Sequence, residues 1–404
     1  MTASTRYRDA LAVGEFRAIF IAHVISMTGT VTANLALVVL VYSRTGSPLL
    51  SALVFTVVFV PHLVAGTLLS ALVDRLPVRK LLVSCNLLSA ALAVLMALPG
   101  TSVGALFALA FTQGLIEPVF LGARAATLPA VLSGPSYVPG RSLLRLVSQG
   151  TQVGGYAVGG VLLTVVSPSS LLLGYAGCLA CSAALLRLGT RERMPECIPP
   201  AAPRPALLRD SVAGLVEILH ITPLRRVLLL GWAVPALAVA PEALALPYAA
   251  SLQAGTVGAG LLMTAIPLGT VSGEVLTTWL VSADRQTRLT APAAILVFTP
   301  LLVFAVGPGL ALAIPILVIS GLGYAFHLGL DRMLLDAAPA ALRARALSIQ
   351  TTGLMFWQGL GFAAAGAAAE LAHPTVVIPL AACCGLLAVV LLTSPSYRAS
   401  RAQW

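Results

Sequence analysis

The chain alternates long uncharged apolar runs with short breaks that carry arginine, glycine and proline. Each run approaches the roughly 20 apolar residues that a helix needs to cross a bilayer, so the pattern predicts transmembrane helices throughout. Six runs occupy 18–42, 48–72, 81–99, 103–130, 141–166 and 169–187; six more occupy 226–250, 256–281, 290–307, 309–330, 346–370 and 374–393. The expected fold is all-α: twelve transmembrane helices in two pseudo-symmetric six-helix bundles. An even count returns both termini to one side.

Composition fixes the solvent. Of 404 residues, 58% are hydrophobic and 9% charged, with a mean hydropathy of +0.97; water-soluble domains carry about 25% charged residues. A soluble enzyme, a secreted disulfide scaffold and a disordered chain are therefore excluded. A net charge of +10 would suggest nucleic acid in a soluble domain, but here the basic residues fall between apolar runs and act as a topology signal. Every lysine and arginine except Arg44 lies on one face, in the N-terminus, the central break, the C-terminus or the breaks after spans 2, 4, 8 and 10. Basic residues are retained in the cytoplasm, which puts both termini there in a multi-pass protein of a bacterial inner membrane.

The break at 189–224 is rich in proline and arginine and reads as a cytoplasmic linker between bundles at 1–188 and 225–404, with a short surface helix from Asp210 to His220. The halves carry a faint repeat. Asp74-Arg75 recurs as Asp284-Arg285, and Leu128-Pro129-Ala130 is echoed by Ala338-Pro339-Ala340, both at an offset of 210. Parallel repeats with a site at their interface mark secondary transporters. All cysteines but Cys197 lie in apolar runs, where a thiol packs as a small hydrophobe. Cys178 and Cys181 have no second pair or nearby histidine to complete a metal site, so neither metal nor cofactor is expected.

The stretch Ser70-Ala71-Leu72-Val73-Asp74-Arg75-Leu76-Pro77-Val78-Arg79-Lys80 resembles the signature loop of the major facilitator superfamily, G-x-L-x-D-R-x-G-R-K. Asp74, Arg75 and Arg79 fall on its charged positions, while Ser70 and Pro77 replace glycines and Val78 an arginine. The resemblance implies that Asp74, Arg75 and Arg79 form a cytoplasmic gate, the aspartate meeting the positive end of a helix dipole at the start of span 11, near Ala346. Gly155-Tyr156-Ala157-Val158-Gly159-Gly160 is similar to the antiporter segment G-P-x-x-G-G, with Tyr156 in place of proline. Small residues there equally serve plain close packing of helices. Gln113-Gly114 matches part of the R-x-x-Q-G pattern of proton-coupled drug exporters, although Ala110 holds the arginine position. The order of features, with Thr45-Gly46-Ser47-Pro48 and Arg124-Ala125-Ala126-Thr127-Leu128-Pro129, resembles the macrolide-efflux and siderophore-exporter branch of drug-proton antiporters.

Charges inside a bilayer cost several kcal/mol unless they face water or a partner. Three acids qualify: Glu117 in mid-span 4, Glu242 in the outer half of span 7 and Glu274 in the inner half of span 8. They are the candidates for proton coupling or substrate binding, against the alternative of neutral, hydrogen-bonded packing groups. Pro235, Pro241 and Pro247 recur every six residues around Glu242 and predict kinks, static or moving. Candidate cavity-lining residues are His23 and Asn34 in span 1, His62 in span 2, and Gln149 and Gln152 in span 5. Tyr324, His327, Trp357 and Gln358 are their counterparts in the second half. Several of these serve equally as hydrogen-bond glue between helices.

The chain has no G-x-x-x-x-G-K-[ST] loop, which excludes ATP-driven pumping of that type, and no catalytic constellation. These readings point to a monomeric, non-enzymatic transporter in the lipid bilayer that exports an amphipathic small molecule, an antibiotic or secondary metabolite, in exchange for protons. A uniporter or importer of a metabolite or lipid-like solute is the second reading, and a non-transporting membrane sensor the third.

Overall fold

The computed structural model describes residues 3–62, 76–132, 136–193, 218–339 and 342–394, all helical or connecting, with no strand among them. Helices are what an apolar environment permits, because each backbone donor and acceptor is then satisfied within its own segment. In chain order they are α1 (Ala3–Ala12), α2 (Gly14–Thr45), α3 (Pro48–Phe59), α4 (Val78–Ala97), α5 (Val103–Val131), α6 (Tyr137–Leu162), α7 (Pro168–Gly189), α8 (Thr222–Ala238), α9 (Ala240–Ala243), α10 (Ala245–Ser251), α11 (Gly255–Leu280), α12 (Ala283–Phe298), α13 (Leu310–Leu322), α14 (Phe326–Ala337), α15 (Arg343–Leu371) and α16 (Pro374–Thr393).

Each expected span has a helical counterpart, and among the described residues nine are long and apolar enough to cross a membrane. α6 and α15 are long enough, at 26 and 29 residues, but polar residues such as Gln149, Gln152, Gln350 and Thr351 interrupt their apolar character. The described part of span 2 is shorter. The expected surface helix at 210–220 lies largely outside the described residues.

Three spans depart from continuous helices. Span 7 is kinked at Val239 and Leu244, between α8, α9 and α10, while helical bonds still run across both points, from the Ala243 N–H to the Val239 carbonyl at 2.8 Å and from the Tyr248 N–H to the Leu244 carbonyl at 2.9 Å. Pro241 and Pro247 have no N–H to offer the preceding turn, which loosens the helix around them. Span 9 ends in a 3₁₀ segment, Pro300–Val306, closed by Gly307 at φ +65°. Span 10 is interrupted by a 3₁₀ turn at Gly323–Ala325.

The chain forms two compact units, 1–44 with 60–202 and 45–59 with 203–404. In the first, Leu82 and Cys85 of α4 pack with Ile19 of α2, Ala123 of α5 and Leu186 of α7 in one apolar cluster. Asn86 donates to Ser182 Oγ at 2.9 Å between α4 and α7. The residues after α7 tie down one end of this unit. Arg193 pairs with Glu15 through both carboxylate oxygens, and the Val78 N–H donates to the Arg193 carbonyl at 3.2 Å.

In the second unit α3 lies along α15. Phe55 stacks on Phe362 with ring centroids 4.6 Å apart, and Thr56 donates to the Gly359 carbonyl at 2.8 Å. Glu370 caps the start of α3: its Oε1 accepts from the Leu49 N–H at 3.0 Å and from the Ser47 hydroxyl. A carboxylate suits the positive end of a helix. Elsewhere, α11 and α13 meet backbone to backbone. A Cβ on Gly269 would fall 2.1 Å from the Val318 carbonyl oxygen and 2.7 Å from Gly321 Cα.

That contact generates a prediction. Gly269→Val should lower stability by about 1–3 kcal/mol, the usual cost of forcing atoms into a filled interior. Gly174→Ala, where an added Cβ would meet nothing within 4 Å, should leave the midpoint of thermal unfolding in detergent within a degree or two.

Candidate functional site

The site of the first unit is a polar ridge on α5. Gln113, Glu117 and Arg124 are spaced four and seven residues apart, which at 3.6 residues per turn sets them on one face. Pro118 lies within the same helix and leaves the Gly114 carbonyl without its usual donor.

Each member has a defined neighbour. His62 Nε2 is 3.9 Å from Glu117 Oε2, beyond direct hydrogen-bond range, and the half-buried Glu117 side chain remains 35% exposed. Gln113 donates to the Tyr175 hydroxyl at 2.6 Å, while its Oε1 is buried with no partner. Arg124 Nη1 lies against both ring nitrogens of buried His23, 3.0 Å from Nε2, and that nitrogen is 3.0 Å from Ser148 Oγ. Arg124 thereby ties α5 to α2 and α6.

The other sequence candidates of this unit are spread along the same helices. Asn34 on α2 and Gln149 and Gln152 on α6 are half-buried. Gly155 sits where a Cβ would lie 2.8 Å from Val31 Cγ1, and Gly159 faces Leu35 and Thr32 at 3.3–3.4 Å. Tyr156 and Gly160 are buried beside them. Asp74 and Arg75 lie outside the described residues. Arg79 donates to the Thr190 carbonyl at 3.3 Å and to Glu192 at 2.7 Å, with Lys80 Nζ 3.2 Å from the other Glu192 oxygen.

In the second unit Glu242 stands half-buried on the one-turn helix α9. Tyr324 and His327 stack at 5.8 Å, with Phe326 against the imidazole at 4.2 Å. Glu274 is half-buried on α11. On α15, Trp357 is 43% exposed and Gln358 half-buried. Buried Gln350, with neither side-chain polar atom partnered, lies beside Trp232, whose indole N–H donates to its backbone carbonyl at 3.1 Å. Among the described residues no three His, Cys, Asp or Glu side chains gather closely enough to hold a metal ion.

Arg124, Tyr175 and Gln350 were not singled out by sequence as site residues. Arg124 reads as one more basic residue of the topology signal. Its seven-residue spacing from Glu117 is the pattern that assigns it to the ridge.

Residues 9–400 match the family described as transmembrane secretion effectors. None of the curated protein sequences matches the chain. Among solved structures, the nucleoside transporter NupG superposes with a TM-score of 0.79 at 13% identity, covering 94% of this chain and 99% of that one. The peptide transporter POT gives 0.72 at 16% identity, covering 96% and 95%. A bacterial homolog of the human lysosomal transporter Spinster gives 0.67 at 14% identity, covering 96% of each chain. At such identities the likeness is one of fold.

Two outcomes follow from these contacts. Tyr175→Phe removes the acceptor of a buried amide and should cost about 1–3 kcal/mol in unfolding measurements. The second concerns pH. The Lys80 ammonium, and with it the Arg79 guanidinium, hold the Glu192 carboxyl below the usual carboxylate range. A depressed carboxylate stabilises the fold above its unfolded pKa, and that contribution is lost as pH falls through the folded value. Wild type should unfold at a higher temperature than Glu192→Gln at neutral pH, and the two midpoints should converge below about pH 3.

Proposed function

We propose that this chain, which belongs to the transmembrane secretion effector family of the major facilitator superfamily and is a multi-pass membrane transporter, exports an amphipathic small molecule in exchange for protons. The observation that carries this reading is the Glu117–His62 pair, an ionisable carboxyl on the membrane-spanning helix α5 and an imidazole 3.9 Å from it. A carboxyl is costly to leave charged and alone in an apolar setting, which suits such a position to proton coupling. The family description as secretion effectors favours outward movement.

On this reading Glu117 carries the proton and His62 receives or relays it. Gln113 and Tyr175 hold the ridge in register. The kinked span 7, which carries Glu242, supplies a bending element for alternating access, since missing donors around Pro241 lower the resistance to a change of angle. The cargo is of the antibiotic or secondary-metabolite kind, as in the macrolide-efflux and siderophore-exporter branch. Asp74 and Arg75 serve the gate at the cytoplasmic face, where both termini lie.

Reconstitution tests the scheme. In proteoliposomes, Glu117→Gln should abolish transport driven by a pH gradient while substrate counterflow without a gradient persists, because the neutral amide mimics the loaded state. Glu242→Gln should slow both modes. Gradient-driven flux that is unchanged in Glu117→Gln would remove that residue from the mechanism, and flux indifferent to pH in wild type would identify a uniporter.

A further inference from the structure

Gln350 on α15 is buried, and neither its Nε2 nor its Oε1 has a hydrogen-bond partner among the described residues. Beside it stands a second polar group short of its usual bond. Pro235, four residues after Gly231 within α8, has no N–H to give the Gly231 carbonyl. The two groups are neighbours, because a Cβ on Gly231 would fall 2.1 Å from Gln350 Nε2. The amide itself fills the notch that the glycine leaves. The same two helices are keyed together on either side of Pro235. Trp232 donates from its indole to the Gln350 carbonyl at 3.1 Å and lies over Gly353, where a Cβ would be 2.4 Å from its ring. Further along, a Cβ on Gly361 would fall 2.0 Å from the Ala236 carbonyl oxygen.

We propose that Gln350 is the switch of a hinge at Pro235: its amide donates to the Gly231 carbonyl in a second conformation of α8, and the conformation described here is the one in which that bond is open. A polar group left unsatisfied in a protein interior forfeits its solvation without return, and such a group in a native fold calls for a reason. A carbonyl freed by proline in a membrane helix is satisfied by a polar group of a neighbouring helix. Gln350 is that group by position, yet its amide makes no bond in this conformation. A small rotation of α8 that carries the Gly231 carbonyl to Nε2 satisfies donor and acceptor at once. Against it stands Trp232, seated on Gly353 and bonded to the Gln350 carbonyl, which holds the conformation described. Each conformation keeps a contact that the other gives up, and two such states share the population rather than one excluding the other. The hinge rests on the reading of span 7 as a bending element and deepens it; it needs neither the cargo nor the proton.

Fluorine NMR on the full chain in lipid nanodiscs, labelled with 5-fluorotryptophan, reads the hinge without transport. The chain has four tryptophans, and the signal lost in Trp232→Phe assigns the resonance beside Gln350. In wild type Trp232 should give two lines, or one line broadened by exchange, over a range of temperature. Gln350→Met, which nearly keeps the volume and loses the amide, should give one sharp line. Its unfolding midpoint should lie at or above that of wild type, since the unpaired group is gone. Pro235→Ala restores the donor to the Gly231 carbonyl; it should likewise leave one sharp line, and it serves as the second variant if the methionine protein does not fold. The proposal is overturned if wild-type Trp232 gives a single sharp line, or if exchange persists in both variants. It is also overturned if Gln350→Met lowers the midpoint by several degrees, the result expected of an amide bonded to an ordered water. Flux is not measured here, so failure removes the Pro235 hinge and leaves the Glu117 scheme to its own test.

Discussion

Inside a bilayer a polar group has no water to return to when its partner leaves, and the ridge on α5 is organised by that constraint. Gln113 has Tyr175, Glu117 has His62, and Arg124 has His23, which in turn meets Ser148. Each pairing joins α5 to another segment of the first unit, so these polar groups also fix helix register. Truncating one of them leaves a buried polar partner exposed to an apolar setting, which costs more than the contact itself returns.

The second unit solves the same problem differently. Its close contacts come from glycines, Gly269 and Gly321 bringing the backbones of α11 and α13 together without side chains between them. Polar groups are concentrated where helices are interrupted, at α9 beside Glu242 and at the 3₁₀ turn beside Tyr324 and His327. Interruption leaves carbonyls available and removes the stiffness of continuous hydrogen bonding. Glu370 shows how such ends are satisfied, its carboxylate capping α3 from another helix.

Much of this was legible in the chain. Span positions follow from apolar runs because the bilayer sets both length and composition, and the interior acids stood out because their cost is large. Glu117 drew notice that way, and Gly155 and Gly159 through their resemblance to the antiporter segment. The sequence was less informative wherever one signal hid another. Arg124 was absorbed into the count of basic residues, although its spacing from Glu117 places it on the ridge. The prolines of span 7 indicated kinks, but whether bonding bends or stops depends on the neighbours that receive the freed groups. The pairing of α3 with α15 rests on Phe55, Phe59 and Phe362, aromatic residues far apart in the chain that no local pattern connects.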